Sequence, residues 1–157
     1  MTLRLDPLRV DDAAEMTAVL ADPALYAVIG GDPPTQAELT AQYRWQVAGR
    51  SGDGTEEWLN WVVRVDGDAV GYVQATVHDG SRAVVAWVIG TPWQGRGHAT
   101  AAARAMLAEL AARGVSRVEA WIAPGHRPSE LVAERLGLAP TGRLDDDGEQ
   151  LWSSPPR

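Results

Sequence analysis

The chain has 157 residues, a length that suggests one domain able to bury about two-thirds of its unfolded surface without a metal or disulfide staple. Apolar residues make up 45% and charged residues 22%, a globular composition that excludes disorder, and the absence of cysteine excludes disulfides, zinc–thiolate centres and a thiol nucleophile. The net charge is −7, and the 14 basic residues, all arginine, are scattered, which excludes a basic stripe for nucleic acid.

No segment approaches the ~20 apolar residues of a membrane span, and the start at Met1 has no signal-peptide pattern. The expectation is a cytoplasmic protein, monomeric or homodimeric, with no metal, nucleic-acid or membrane partner. Phe is absent, so the 7 tryptophans must supply much of the aromatic packing.

In chain order, residues 2–5 alternate and predict a strand ended by Asp6-Pro7. Asp12-Ala-Ala-Glu15 resembles a capping box and predicts a helix to about Asp22-Pro23. A loop at 30–34 precedes a second box, Thr35-Gln-Ala-Glu38, which opens a helix to about Ala48, stopped by Gly49. The period then changes to that of strands. Residues 58–65, 70–77 and 83–89 predict an antiparallel meander, with a hairpin turn at Asp66-Gly67-Asp68. The third of these strands is almost continuously apolar, which places it in the sheet centre.

Residues 90–98 form a glycine-rich connection into a helix over 99–113, terminated by Gly114. A strand at 118–123, a helix at about 129–136 and two weak strands near 141–144 and 150–152 follow, with a frayed tail at 153–157. The order β-α-α-β-β-β-α-β-α-β-β predicts a mixed α+β sheet in one domain spanning residues 1–157.

The chemistry-bearing stretch runs from Trp87 to Thr100. A buried strand there enters a glycine loop that opens a helix. Free N–H groups at a helix start carry partial positive charge, Gly95 and Gly97 allow a phosphate to approach closely, and Arg96 adds a full charge. The same glycines also fit a plain strand-to-helix turn. A Walker loop is excluded because the chain has no lysine; a dinucleotide fingerprint lacks its third glycine, where Thr100 stands, and Glu119 is misplaced for its ribose acid.

Gln94-x-x-Gly97-x-Ala99 resembles the Gln/Arg-x-x-Gly-x-Gly/Ala signature of the GNAT superfamily of N-acetyltransferases. Ile122 to Leu138 is similar to that family's second block, in which a strand end leads through Asn-x-x-Ser to a short helix closing in Leu-Gly-Phe. The opening residues 3–12 resemble the subgroup acting on ribosomal-protein N-termini, and the element order matches throughout.

The resemblance implies acetyl-CoA as cosubstrate and a primary amine as acceptor: a peptide N-terminus, a polyamine or an aminoglycoside-like molecule. It implies a cleft between the strands at 83–89 and 118–123. Pantetheine would lie along Trp87, Val88 and Ile89, with an amide there serving the oxyanion, and the diphosphate on Gln94, Gly95, Arg96, Gly97, His98, Ala99 and Thr100. Ser129 would donate to the leaving sulfur, and His126, where Asn is usual, would anchor the pantetheine arm or titrate near neutrality. Glu119 would hold a water in the cleft.

His78 and Glu57 are other base candidates. Tyr26, Trp45 and Trp58 would flank the acceptor. Val84 and Ala133 stand where many relatives carry a glutamate and a tyrosine. That departure admits a second reading, a CoA-binding module of the same fold that has lost catalysis.

Overall fold

The computed structural model describes residues 1–155, apart from the side chains of residues 28 and 29. Seven strands form one sheet in the order β1-β2-β3-β4-β5-β7-β6: β1 (Leu3–Pro7), β2 (Glu56–Val65), β3 (Asp68–His78), β4 (Arg82–Ile89), β5 (Arg117–Ile122), β6 (Ala139–Leu144) and β7 (Gln150–Ser153). Every neighbouring pair is antiparallel except β4 and β5. The apolar β4 occupies the middle, as its composition requires.

The helices are α1 (Ala13–Val19), the single turn α2 (Tyr26–Ile29), α3 (Gln36–Gln46), α4 (His98–Ala112) and α5 (Arg127–Arg135). The mixed α+β sheet expected from the sequence is therefore the observed one. No helix among the described residues is long and apolar enough to cross a membrane.

Local signals explain most boundaries. Asp66 and Gly67 both take positive φ, 51° and 91°, the twist a two-residue hairpin demands. Thr35 and Glu38 exchange reciprocal hydrogen bonds at 3.1 Å and open α3. On one face of the sheet, Ala102, Met106 and Leu110 of α4, spaced at helical period, pack with Ala133 of α5 against Val63, Val73 and Val85. On the other face, Met16, Leu39 and Tyr43 of α1 and α3 pack on Val62 and Ala69, with Tyr72 and Val88 at the margin.

Three expectations are corrected. Asp12 and Glu15 do not form a capping box: the Arg9 N–H donates to Asp12 Oδ2 at 2.8 Å, closing a 3-10 turn (Val10–Asp12) ahead of α1. The helix also stops at Val19, well short of Pro23, and the Leu20 carbonyl accepts from the Tyr26 hydroxyl at 2.9 Å. Nor is the tail frayed at 153. Ser153 pairs within β7, and Ser154 exchanges bonds with the Val118 main chain, its N–H donating at 2.9 Å and its Oγ accepting at 3.0 Å. Residues 156 and 157 lie outside the described residues.

Asp12 and Glu15 both serve Arg64 of β2. Its guanidinium reaches Asp6 at 3.1 Å, Asp12 at 3.3 Å and Glu15 at 2.8 Å, tying β1, α1 and the β2–β3 hairpin together. Glu15 also accepts from the Ala69 N–H at 3.2 Å. Asp6 is held below its ordinary range by its hydrogen bond from Arg4, against the push of burial, and then by the Arg4 and Arg64 charges. Burial pushes Glu15 up, but the bonds from Arg64 and Ala69 and the Arg64 charge outweigh it.

Removing Arg64 leaves Asp12 buried without its counter-charge. Arg64→Met is expected to cost about 3 kcal/mol of unfolding free energy at pH 7. The depressed carboxylates Asp6 and Glu15 contribute stability that is full above the unfolded pKa near ~4 and is lost as pH falls through their lower folded values. The variant should therefore lose less stability than the parent between pH 5 and pH 2, which urea unfolding across that range measures.

Candidate functional site

The parallel ladder between β4 and β5 has only three rungs: Arg82–Arg117, Ala83–Val118 and Val84–Glu119. Beyond them β5 runs on with β7 alone, on its far edge, where the pairing already begins at Glu119–Ser153, while β4 continues without a neighbour on the near side to Ile89. The sheet is thus split in its middle. At the vertex Glu119 is buried, 5% exposed, between Arg82 at 2.8 Å and Arg117 at 3.3 Å.

The Gly90 N–H donates to the Val70 carbonyl at 2.8 Å, which fixes the alternation along β4. Val88 turns its main chain to Tyr72, whereas Trp87 and Ile89 turn theirs toward the split. The Ile89 carbonyl already accepts from Gln94 Nε2 at 2.9 Å, so Gln94 braces the strand end. Gly71 is required opposite this stretch: a Cβ there would lie 2.2 Å from the Val88 carbonyl oxygen.

Nine residues after Ile89, α4 begins. Its N-cap is Gly97 at φ 81°, with no side-chain cap, and Gly95 lies at φ 76°. Among the described residues no protein acceptor takes the N–H groups of Gly95, Arg96, Gly97, His98, Ala99 or Thr100; the first helical bond runs from Ala101 to Gly97 at 3.1 Å. A Cβ on either glycine would meet nothing within 4 Å. The result is an open, uncapped helix start, with the exposed Arg96 in the loop that leads into it, suited to an anion. His98 and Thr100 are buried beneath it, and Trp93 packs on Gly90.

Across the split, His126 is the N-cap of α5 and half-buried, without a side-chain cap bond. Ser129 is the third residue of that helix, not its cap, and among the described residues its hydroxyl has no protein partner. Ala133 is fully buried in the core.

Cross-strand pairing arranges side chains of one sheet face in rows: Val62–Tyr72–Val88, then Asn60–Gln74–Ala86, then Trp58–Thr76–Val84–Glu119. Over the first two rows lies a cavity of about 190 Å³, roofed by Leu39 and Tyr43 of α3 and closed by Tyr26 and Asp32. All three tyrosines of the chain line it. Burial raises Tyr26 and carries Tyr43 well above its ordinary value; Tyr72 is pushed up to about 12 by burial and then by Tyr26. All three are neutral phenols near pH 7, offering O–H groups and π faces.

Of the acceptor-side expectations, Tyr26 lines this cavity. Trp58 shares its sheet face one row away, with its indole N–H donating to Glu56 at 3.2 Å, and Trp45 is 72% exposed on α3. Tyr43, Tyr72, Asp32, Asn60 and Gln74 escaped the sequence reading. Strand alternation alone would have put Tyr72 and Gln74 on one face; their meeting with α2 and α3 carries no local signal. His78 and Glu57 lie at the opposite end of the sheet beside a broad hollow of about 650 Å³, where His78 stands 3.7 Å from Glu56 and Arg113 pairs with Glu57 at 3.3 Å.

A family profile described as "Acetyltransferase (GNAT) domain" matches residues 2–139. The fold is similar to that of the aminoglycoside acetyltransferase AAC(6')-Ib in complex with coenzyme A, at 19% identity and a TM-score of 0.80 over 98% of this chain and 94% of that one. It is also similar to RimL, a ribosomal L7/L12 alpha-N-protein acetyltransferase in complex with coenzyme A, at 13% identity and 0.84 over 99% and 95%. An acetyltransferase from Thermus thermophilus matches at 22% identity and 0.76 over 99% and 97%. No curated protein matches by sequence.

Gly71→Val is expected to force β3 and β4 apart and lower stability by about 2 kcal/mol or more, because the new side chain must displace main chain. Thermal unfolding measures the loss, and wild-type stability in this variant would deny β4 its close seating on β3.

Proposed function

The chain belongs to the GNAT acetyltransferase family, and from that premise we propose that it transfers an acetyl group from acetyl-CoA to a primary amine by direct attack. The observation that carries this reading is the adjacency of two unsatisfied main-chain features: the free edge of β4, from the Trp87 main chain to the Ile89 N–H, and the uncapped start of α4. The first would pair with the amides of pantetheine like an added strand, and the second would hold the diphosphate, with Arg96 adding charge.

In the transfer, the amine nitrogen bonds to the acetyl carbon and the carbon–sulfur bond breaks. The nitrogen loses a proton and the sulfur gains one. A main-chain N–H of the Trp87–Ile89 segment would stabilise the oxyanion. The half-buried Ser129 hydroxyl would donate to the departing sulfur, while His126 would hold the pantetheine arm. An alkylammonium has no lone pair, and its pKa near ~10 means that a proton path is needed at neutral pH.

Glu119 is paired across the rung with Val84, so a carboxylate stands on β5 next to the β4 position where many relatives carry one. It lies ~10 Å along the strand from Trp87, a span for bound water and too long for direct transfer. A catalytically silent CoA-binding module is the second reading, favoured by the burial of Ala133 in the core, where no acid can stand. Free-thiol release from acetyl-CoA with an amine panel separates the two.

Gly97→Trp should abolish CoA binding in calorimetry while circular dichroism remains native, since its Cβ points into open space that the ligand would fill. Full affinity in the folded variant would remove the cradle assignment. Ser129→Ala should lower kcat roughly ten-fold or more, the scale of one lost hydrogen bond to a developing charge, with little change in CoA affinity. An unchanged kcat would leave Ser129 without a catalytic part.

A further inference from the structure

The cavity over Tyr72 and Gln74 carries information about the acceptor that its family membership does not. Resting on the acyl-transfer reading above, we propose that the acceptor is a monoamine, one ammonium on a body about the size of a single ring, selected by Asp32. Asp32 is the one carboxylate among the described residues that line the cavity. The other polar groups there are neutral: the amides of Gln42, Gln46, Asn60 and Gln74 and three phenols. The apolar walls come from Leu8, Leu20, Leu39 and Val88.

Size and charge lead to the same class. An apolar cavity of roughly 150 Å³ accepts one benzene ring. At about 190 Å³ this one accepts little more, so a molecule of several linked rings cannot be enclosed. A first ammonium can face Asp32, which is exposed at the cavity's mouth, and the electron-rich faces of the tyrosines within. A second or third would be taken from water with only amides and hydroxyls for company, and an unpaired charge in such a place is costly. The net charge of −7 attracts polycations to the whole surface but does not seat them in this cavity. A small free amine and the amino end of a peptide present the same chemistry here.

The test measures thiol release from acetyl-CoA with tyramine, alanine methylamide as a compact amino end of a peptide, spermidine and kanamycin, alongside calorimetric titration of each amine into the intact protein with and without CoA. The expected result is a kcat/KM at least ten-fold higher for tyramine or alanine methylamide than for either polycation. The better of the two monoamines identifies the source. Asp32→Asn should raise KM for that monoamine about three-fold, the scale of one exposed ion pair, with kcat nearly unchanged, and Asp32→Glu should recover most of the loss. CoA affinity should be the same in all three proteins.

Preference for spermidine or kanamycin overturns the proposal, and so does an Asp32→Asn protein with wild-type KM. If CoA produces no heat, the acyl-transfer reading falls, yet the amine titrations still decide this one: monoamine binding lost in Asp32→Asn sustains it, and no monoamine binding overturns it.

Discussion

The three-rung contact between β4 and β5 is the constraint on which the rest of the molecule depends. A seven-stranded sheet would ordinarily satisfy every central main-chain group, because an unpaired buried N–H or carbonyl is costly. Here β4 is the central strand, and its second half has no neighbour on one side. The arrangement holds because its vertex is pinned: Glu119, nearly without solvent contact, draws Arg82 of β4 and Arg117 of β5 onto one carboxylate. Beyond that point β5 keeps β7 on its far edge but no longer meets β4 on its near one, and the two strands part. Gly71 on β3 and the Gln94 amide on the Ile89 carbonyl hold β4 from its other side and its end. The opening is therefore built from main chain, with few side chains needed to define it.

On the proposed reading, the split also separates two tasks, one on each face of the sheet. The loop from Gly95 to Gly97 leads into α4, which packs on the face of Val73 and Val85. The tyrosine cavity lies on the opposite face, under α1 and α3. Alternation along β4 links them, since Val88 presents its side chain to the cavity while Trp87 and Ile89 present main chain to the split. Two substrates entering from opposite faces can meet in the gap without sharing a pocket. The Arg64 cluster secures the acceptor half of this plan by fixing α1, and with it Leu20 and Tyr26, against β1 and the β2–β3 hairpin.

What was legible in the sequence was local. The Asp66-Gly67 turn, the Thr35–Glu38 box, the apolar run of β4 and the glycines before α4 each impose backbone geometry within a few residues, and all appear as read. What failed was the assignment of side chains having two possible partners. Asp12 and Glu15 have capping-box spacing, but Arg64 lies 52 residues from Asp12 and offers a stronger, charge-assisted bond. Ser153 reads as terminal because nothing near it in sequence reveals that Ser154 grips Val118. Trp45 reads as an acceptor wall from its place on α3, yet it faces solvent, while Leu39 and Tyr43 of the same helix face inward. The cavity was illegible for the same reason: Tyr26, Asp32, Tyr43 and Tyr72 come from four separate segments.

The placement of carboxylates then bears on how a proton could leave the amine. Ala133 is sealed in the core, and Val84 offers only methyl groups to the split. Glu119 occupies the adjacent rung, but both of its oxygens are held by arginines, so it anchors more readily than it accepts a proton. On the proposed reading, a charged amine would arrive at Asp32, at the cavity's edge, before it reacts. The far end of the same sheet face, beyond the amides of Asn60 and Gln74, then offers only the arginine-bound Glu119, so no free carboxylate stands there to take the proton. An acceptor whose amine is already partly neutral at pH 7, as an α-amino group with a pKa near ~8 is, would need the least help along that path. On these grounds the chemistry of the floor, and not only the size of the cavity, favours a weakly basic monoamine.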